Sequence, residues 1–491
     1  LGNPPWERVK LQEQEFFASR DEEIAKAANA AARKKRIAEL PKTDPTLWAA
    51  WCAASREAEG QSHFVRQSGR YPLCGKGDVN TYALFAEHNR SVLGPVGRAG
   101  FIVPTGIATD ETTKDYFSDL MSTRHLAAFF GFENEAKLFA GIDHRVNFCL
   151  LSLSAGGTPV PRFAAFVREP TVLKDSGRVY ELTDADIARL NPNTRTCPVF
   201  RTRRDAELNI ALYERAGVLW REGDADGNPW GLRFLRMFDM ANDSGLFRTR
   251  TDLETEGARL VGNRWESRDG LFVPLFEAKM LYHYNHRYGD FALLAPGERE
   301  HILPQLPDEV LSVADHLTMP RYWVDSREVL GRLSDAWDRD WILGWRRVTD
   351  SRSSVRTTVA GVIPRSGAGD SLFLAFPVAA PNVVASLSAN LSSFVFDYAT
   401  RQKLSGVNLN YYIFKQLPVL APSTYAAPSP WSPAATLVSW LLPRVLELTY
   451  TAWDLEPFAR DVGWDGPPFR WDPARRFLLR AELDAAFFHL Y

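Results

Sequence analysis

Two short apolar runs, "AGFIVP" at 99–104 and "VNFCLLSL" at 146–153, place the tightest limit on how the first third of this chain folds. Both are of strand length, rich in β-branched and aromatic residues, and the first is closed by Pro104 and Gly106, so each reads as a buried strand. Helix-forming stretches alternate with them, "DVNTYALFAEHNRSVL" before the first and Thr112 to Leu126 between the two. Helix, strand, helix, strand is the pattern of an α/β domain with a mostly parallel sheet.

Ahead of this pattern, Leu11 to about Arg66 is rich in Ala, Glu, Lys and Gln with apolar residues at helical spacing, which predicts a helical insertion over about 11–66. Its basic run Arg33, Lys34, Lys35, Arg36 has the charge to meet phosphate, although such a run on a helix more often forms a solvated face. After about Ala155 the chain changes to short strands, turns and arginine-aromatic segments. Pro422 to Pro433 reads as a linker or loop, and the tail beyond it as helical. These shifts divide the chain at 1–160, 161–421 and 422–491.

With 491 residues, 45% hydrophobic and 24% charged, the chain has the composition of a globular protein, and its formal charge of −2 points to no partner class. Cys52, Cys74, Cys149 and Cys197 lie far apart with no CxxC pair, so neither a disulfide framework nor a zinc site is indicated and a reducing cytoplasm fits best. No apolar run approaches the roughly 20 residues of a membrane span. The first residue is Leu, not Met, so the chain reads as the trailing part of a longer polypeptide.

The chain opens "LGNPPWE". Pro4 and Pro5 fix φ and remove two backbone donors, so the turn presents carbonyl oxygens rigidly. The Asn3 side-chain oxygen beside a fixed carbonyl makes a pair of acceptors suited to an –NH2 group. An exocyclic amine on a nucleobase is a poor nucleophile because its lone pair is conjugated. Two acceptors on its hydrogens favour pyramidal nitrogen and stabilise the charge that develops during attack on a methyl sulfonium. Trp6 would stack on the base. The plainer alternative is a Pro-Pro turn with Trp6 in a core. Asn228, Pro229 and Trp230 form a similar "GNPWG" without the second proline, which reads as an ordinary turn.

His283 and His286 are three apart but no third ligand lies nearby, so no metal is expected. "GDADGN" (223–228) starts like a calcium loop, yet Pro229 stands where that loop needs glycine; it reads as a turn.

In order, "GNPPW", "GDVNTYALF", "GRAGFIVPTGIATDE" and "KLFAGIDHRVNFCLLSL" resemble amino-methyltransferases that modify adenine in DNA, of the γ-ordered type. The resemblance implies the C-terminal half of a Rossmann-like, S-adenosylmethionine-dependent methyltransferase sheet, then an α+β target-recognition domain and a helical tail. Leu1 and Gly2 would end the fourth strand, Ala99 to Val103 form the fifth, and Val146 to Leu153 join the hairpin strands beyond. Asn3, Pro4, Pro5 and Trp6 would be catalytic, and Phe139 would stack on the base opposite Trp6, in preference to Phe129, Phe130 or Phe132. Phe148 would belong to the core. The family's glycine-rich loop for S-adenosylmethionine is not found; "CGKGDV" (74–79) follows no apolar strand, so most of that site is expected upstream of residue 1.

Segments 228–247, 271–289, 320–324, 345–364 and 404–419, with the tail "RRFLLRAELDAAFFHLY", are similar to fused type IIG restriction-modification enzymes and their BREX or phage-growth-limitation relatives. This implies a specificity region that reads double-stranded DNA, with other defence-system subunits as possible partners. Arg287, Arg346, Arg347 and Arg356 sit beside Tyr284, Tyr288 and Trp345 in the interleaving expected of a nucleic-acid surface. With Lys279 they are the candidate DNA contacts, and Lys279, Arg287 and Arg356 read equally well as scaffold. Two rivals stand beside adenine-N6 methylation: a DNA-binding module without catalysis, and a methyltransferase acting on RNA or a protein amide.

Overall fold

The computed structural model describes every residue except 28, 296–302, 334, 350–353 and 405, and of residue 31 only the backbone. The protein is of mixed α/β class with open sheets and divides into two compact units, Leu1–Leu208 and Asn209–Tyr491.

In the first unit the predicted insertion holds four helices among the described residues: α1 (Glu13–Ala18), α2 (Glu22–Ala25), α3 (Ala30–Thr43) and α4 (Pro45–Gln67). Local chemistry starts each long helix. The Asn29 side chain accepts from Ala32 N–H ahead of α3, and Asp44 accepts from Leu47 N–H ahead of α4, where Pro45 takes the first helical position. Phe17, Ile24, Ile37 and Leu40 form a small core of their own, against which Trp48 and Trp51 pack. The basic run is partly spent internally, Arg33 being buried and 3.9 Å from Glu13 while Arg36 pairs with Glu23 at 3.2 Å.

Helix α5 (Thr81–Ser91) is capped by Asn80 and packs on strand β1 (Arg98–Pro104). After α6 (Gly106–Thr109) and α7 (Lys114–Ser122) come β2 (Leu126–Glu133), β3 (Asn147–Ser154), β4 (Arg162–Val167) and the short β5 (Tyr180–Glu181). The sheet order is β1-β3-β2-β4-β5. Only β2 and β4 pair in parallel, the other neighbours being antiparallel, which corrects the expectation of a mostly parallel sheet. The difference arises at β2, of which the sequence pattern takes only Leu126, into the preceding helix, and leaves 127–133 without an element. Arg124, in the left-handed region at φ 60, ends the helical run and leaves "LAAFFGFE" free to extend. β3 then folds back along β2 and inserts beside β1.

Sheet register sorts the aromatic residues by face. Phe101, Leu151 and Phe129 align across the strands and are buried. The intervening rows, Ile102–Leu150–Phe130 and Pro104–Phe148–Phe132, point to the opposite face.

The second unit holds an antiparallel sheet of 259–261, 264–266, 271–276 and 323–325, and another of 360–364, 341–346, 372–376 and 233–235. Helices Pro381–Leu391, Leu437–Thr449 and Pro473–Leu490 join its core, which includes Trp230, Trp341 and Trp345. Sequence organisation suggested divisions at 160 and 421. β4 pairing with β2 carries residues past 160 into the first unit, and the C-terminal helices belong to the second. The stretch read as a linker is ordered, with helix Pro422–Ala426 and paired strands 428–429 and 432–436. Tyr425 anchors it: the ring is buried beside Trp230 and its hydroxyl donates to Asn390 Oδ1 at 3.2 Å.

Candidate functional site

Gly2 lies parallel to β1 opposite Phe101, its N–H donating to Gly100 and its carbonyl accepting from Ile102, both at 3.0 Å. The chain leaves the sheet edge there and enters the turn Asn3-Pro4-Pro5-Trp6. Asn3 is exposed, and among the described residues its side chain has no hydrogen-bond partner. The turn at Asn228 is different. The Asn228 side chain accepts from Leu232 N–H at 2.8 Å and donates to Leu232 O at 3.0 Å, while Trp230 is fully buried with its indole on Leu420 O. One Asn-Pro turn spends its amide on its own backbone; the other leaves it open.

Beyond the turn, the Pro5 carbonyl accepts from Thr81 Oγ1 at 2.7 Å and Glu7 N–H donates to the same hydroxyl at 3.0 Å. Trp6 is half-buried and packs with Phe139, Phe130, Ile102 and Leu150 against Phe132 and Phe148. Phe132 and Phe148 stack with ring centroids 5.2 Å apart, and Phe139 meets Phe148 edge-on at 4.9 Å. The structure thus brings Trp6 and Phe139 into one apolar cluster on the Phe130 face of the sheet. Phe129 points the other way and is buried, Phe132 and Phe148 are core, and Phe130 is half-buried beneath the Arg162 guanidinium at 5.6 Å.

Asn134, which sequence reasoning missed, holds the Phe139 loop. Fully buried, it donates to the carbonyls of Phe139 and Ile142 at 3.0 and 3.1 Å and accepts from Phe139 N–H at 3.0 Å. A buried amide with three bonds sets the loop's path.

In the second unit, Arg287 has no exposed surface. Its guanidinium donates to the carbonyls of Leu311, Val313, His316 and Thr451 at 2.8 to 3.0 Å. Burial lowers its pKa. A guanidinium so placed reaches no phosphate, and Arg287 is scaffold. Arg346, also lowered by burial, donates to Leu281 O at 2.8 Å and lies over the stacked rings of Tyr282 and Tyr288. Arg356 donates to Ser392 O and lies 3.6 Å from Asp397, its side chain 11% exposed. Arg347, 26% exposed, is 3.7 Å from Asp370 and lies over Phe373, and Lys279 is 3.0 Å from Glu277. Arg347 and Lys279, with side chains 26% and 23% exposed, keep more surface than Arg287 and Arg356.

His283 is buried and held well below its ordinary pKa, first by desolvation and then by Arg356, Arg346 and Arg480, while His286 bonds Asp454 at 2.8 Å. No group of three metal-ligating side chains occurs among the described residues. The segment 223–227 is a turn, closed by Arg221 N–H on Gly227 O at 2.7 Å. Gly75 and Gly77 precede α5 in a loop that follows no strand, so they do not fit the methionine end of S-adenosylmethionine. No described helix is long and apolar enough to cross a membrane.

No family model and no curated protein matches the chain. Solved structures do. MmeI, a type IIL restriction-modification enzyme in complex with DNA, is 12% identical with a TM-score of 0.42, covering 88% of this chain and 52% of its own. The type IIG restriction endonuclease BpuSI is 12% identical with a TM-score of 0.27, covering 88% and 51%. LlaBIII, an ATP-dependent type ISP restriction-modification enzyme bound to DNA, is 7% identical with a TM-score of 0.31, covering 84% and 28%. The chain spans about half the length of MmeI and BpuSI. These three solved structures are of two restriction-modification enzymes and a restriction endonuclease.

Proposed function

We propose that this chain carries the acceptor-base site and the DNA-specificity region of an adenine-N6 DNA methyltransferase acting in restriction-modification or phage defence. The observation that carries the reading is the contrast between Asn3 and Asn228: the Asn3 amide is exposed and uncommitted, at a strand end, beside a cluster that holds both Trp6 and Phe139. A target adenine turned out of duplex DNA would present its amine to Asn3 Oδ1 and the Pro4 carbonyl. Trp6 and Phe139 would face its ring. Both acceptors take the amine's hydrogens and leave its lone pair out of conjugation, and neither needs to be a strong base.

S-adenosylmethionine would supply the methyl group. No residue described here fits the donor's glycine-rich loop, so this chain's part is limited to gripping and orienting the acceptor. The specificity region would use Arg347 and Lys279, with Arg346 and Arg356 at its margin, against the phosphate backbone.

The test is incubation of the complete protein with labelled S-adenosylmethionine and genomic DNA, followed by mapping of modified bases. N6-methyladenine in one asymmetric sequence supports the reading. Tight DNA binding without incorporation would favour a DNA-binding module, and incorporation into RNA or protein another substrate.

A further inference from the structure

The segment "DVNTYALF" is part of the resemblance, but the acceptor chemistry above gives it no task. Its Thr81 touches the catalytic turn. The hydroxyl donates to Pro5 O at 2.7 Å and accepts from Glu7 N–H at 3.0 Å, and the Thr81 N–H donates to Glu7 O at 2.8 Å. A short antiparallel ladder continues the contact, with Arg8 opposite Asn80 and Val9 N–H on Val79 O at 3.0 Å.

The geometry of these bonds is specific to Trp6. Pro5 C=O belongs to the peptide entering Trp6, and Glu7 N–H to the peptide leaving it. One hydroxyl therefore grips the peptide planes on both sides of that residue. Fixing both planes fixes φ and ψ of Trp6, and so the direction in which its side chain leaves the backbone. The indole N–H is buried without a hydrogen-bond partner among the described residues, so no polar bond of the ring to them sets its plane. The prolines contribute fixed φ but leave their ψ free, and the bond to Pro5 O restrains the second of these.

We propose that Thr81 is a positioning residue for base capture: from the start of α5 it sets the Trp6 ring and the Asn3–Pro4 acceptor pair without touching the base. This rests on the methyltransferase reading given above. The leverage is large because a displacement of about 1 Å at a reacting group costs on the order of 100-fold in rate.

Thr81→Val removes the hydroxyl while keeping the shape, and Thr81→Ser keeps the hydroxyl. In the complete protein, with its own target duplex, T81V is expected to lower kcat by about 10- to 100-fold. DNA affinity should stay within about twofold, and T81S should recover the rate to within about threefold, which a merely structural loss would not produce. If T81V does not fold, T81A is read in its place. Unchanged kcat in T81V, a loss confined to DNA affinity, or T81S as impaired as T81V would each overturn the inference while leaving the methyltransferase reading intact. A wild-type protein that methylates no DNA would remove the reading and this inference together.

Discussion

The Arg287 Nη2 atom donates to the carbonyl of Thr451 at 2.9 Å, joining residues 164 positions apart in the chain. The same guanidinium also holds the carbonyls of Leu311, Val313 and His316. Lysine has no planar fork and would leave buried acceptors unmet, at about 1–3 kcal/mol each. Arg287→Lys should lower the melting temperature, and the salt dependence of DNA binding by the folded fraction should not change.

Asn3→Ala removes one acceptor from an exposed turn and no internal hydrogen bond among the described residues. Methyl incorporation should fall by about 100- to 1,000-fold, as for loss of one preorganised polar group, with melting temperature and DNA affinity nearly unchanged. Full activity in this variant would refute the acceptor role.

Trp6→Ala and Phe139→Ala should each weaken capture of a turned-out base by about 1–3 kcal/mol. Phe130→Ala, which removes a ring already covered by Arg162, should cost less. Fluorescence of 2-aminopurine placed at the target adenine reads the difference.

Arg347→Ala should reduce the slope of log affinity against log salt by about 1, uniformly across DNA sequences. Asp370 shares this guanidinium, so Asp370→Asn should act in the opposite direction. Titration of binding at several salt concentrations checks both.

His283 is held neutral by burial and by neighbouring arginines. Below its ordinary pKa of 6.5 the unfolded chain takes up a proton that the native chain refuses, so stability falls as pH drops. The slope from this one group is at most about 1.4 kcal/mol per pH unit. Melting of wild type and His283→Gln between pH 7 and 5 should show a shallower decline in the variant.

Periodicity and composition revealed the helical insertion, because strong helix formers with apolar residues at helical spacing fill 11–66; the caps Asn29, Asp44 and Pro45 add to this by local chemistry. β1 and β3 were legible because their apolar runs are short and bounded. β2 was not, since Leu126 continues an apolar helical pattern and the element changes only at the left-handed Arg124. Arg287 and Arg347 look alike in sequence, both beside aromatic residues; their different burial comes from contacts far along the chain, such as Thr451. Asn134 gave no local signal, because its partners become partners only when the 134–142 loop closes on it. The Pro422–Pro433 stretch read as a linker from composition, and what orders it is a tyrosine reaching Asn390.

In the first sheet β3 lies between β1 and β2, which do not pair with each other. Assembly therefore cannot follow the order of synthesis. As the chain leaves the ribosome, β1 and β2 cannot be joined into one sheet until residues 147–154 are made, and the ladder edge that each turns toward β3 stays open meanwhile. The aromatic cluster that receives Trp6 is completed only by Phe148, near the start of that late strand. The Asn3–Trp6 turn thus acquires its floor only once Phe148, far along the chain from it, has been made.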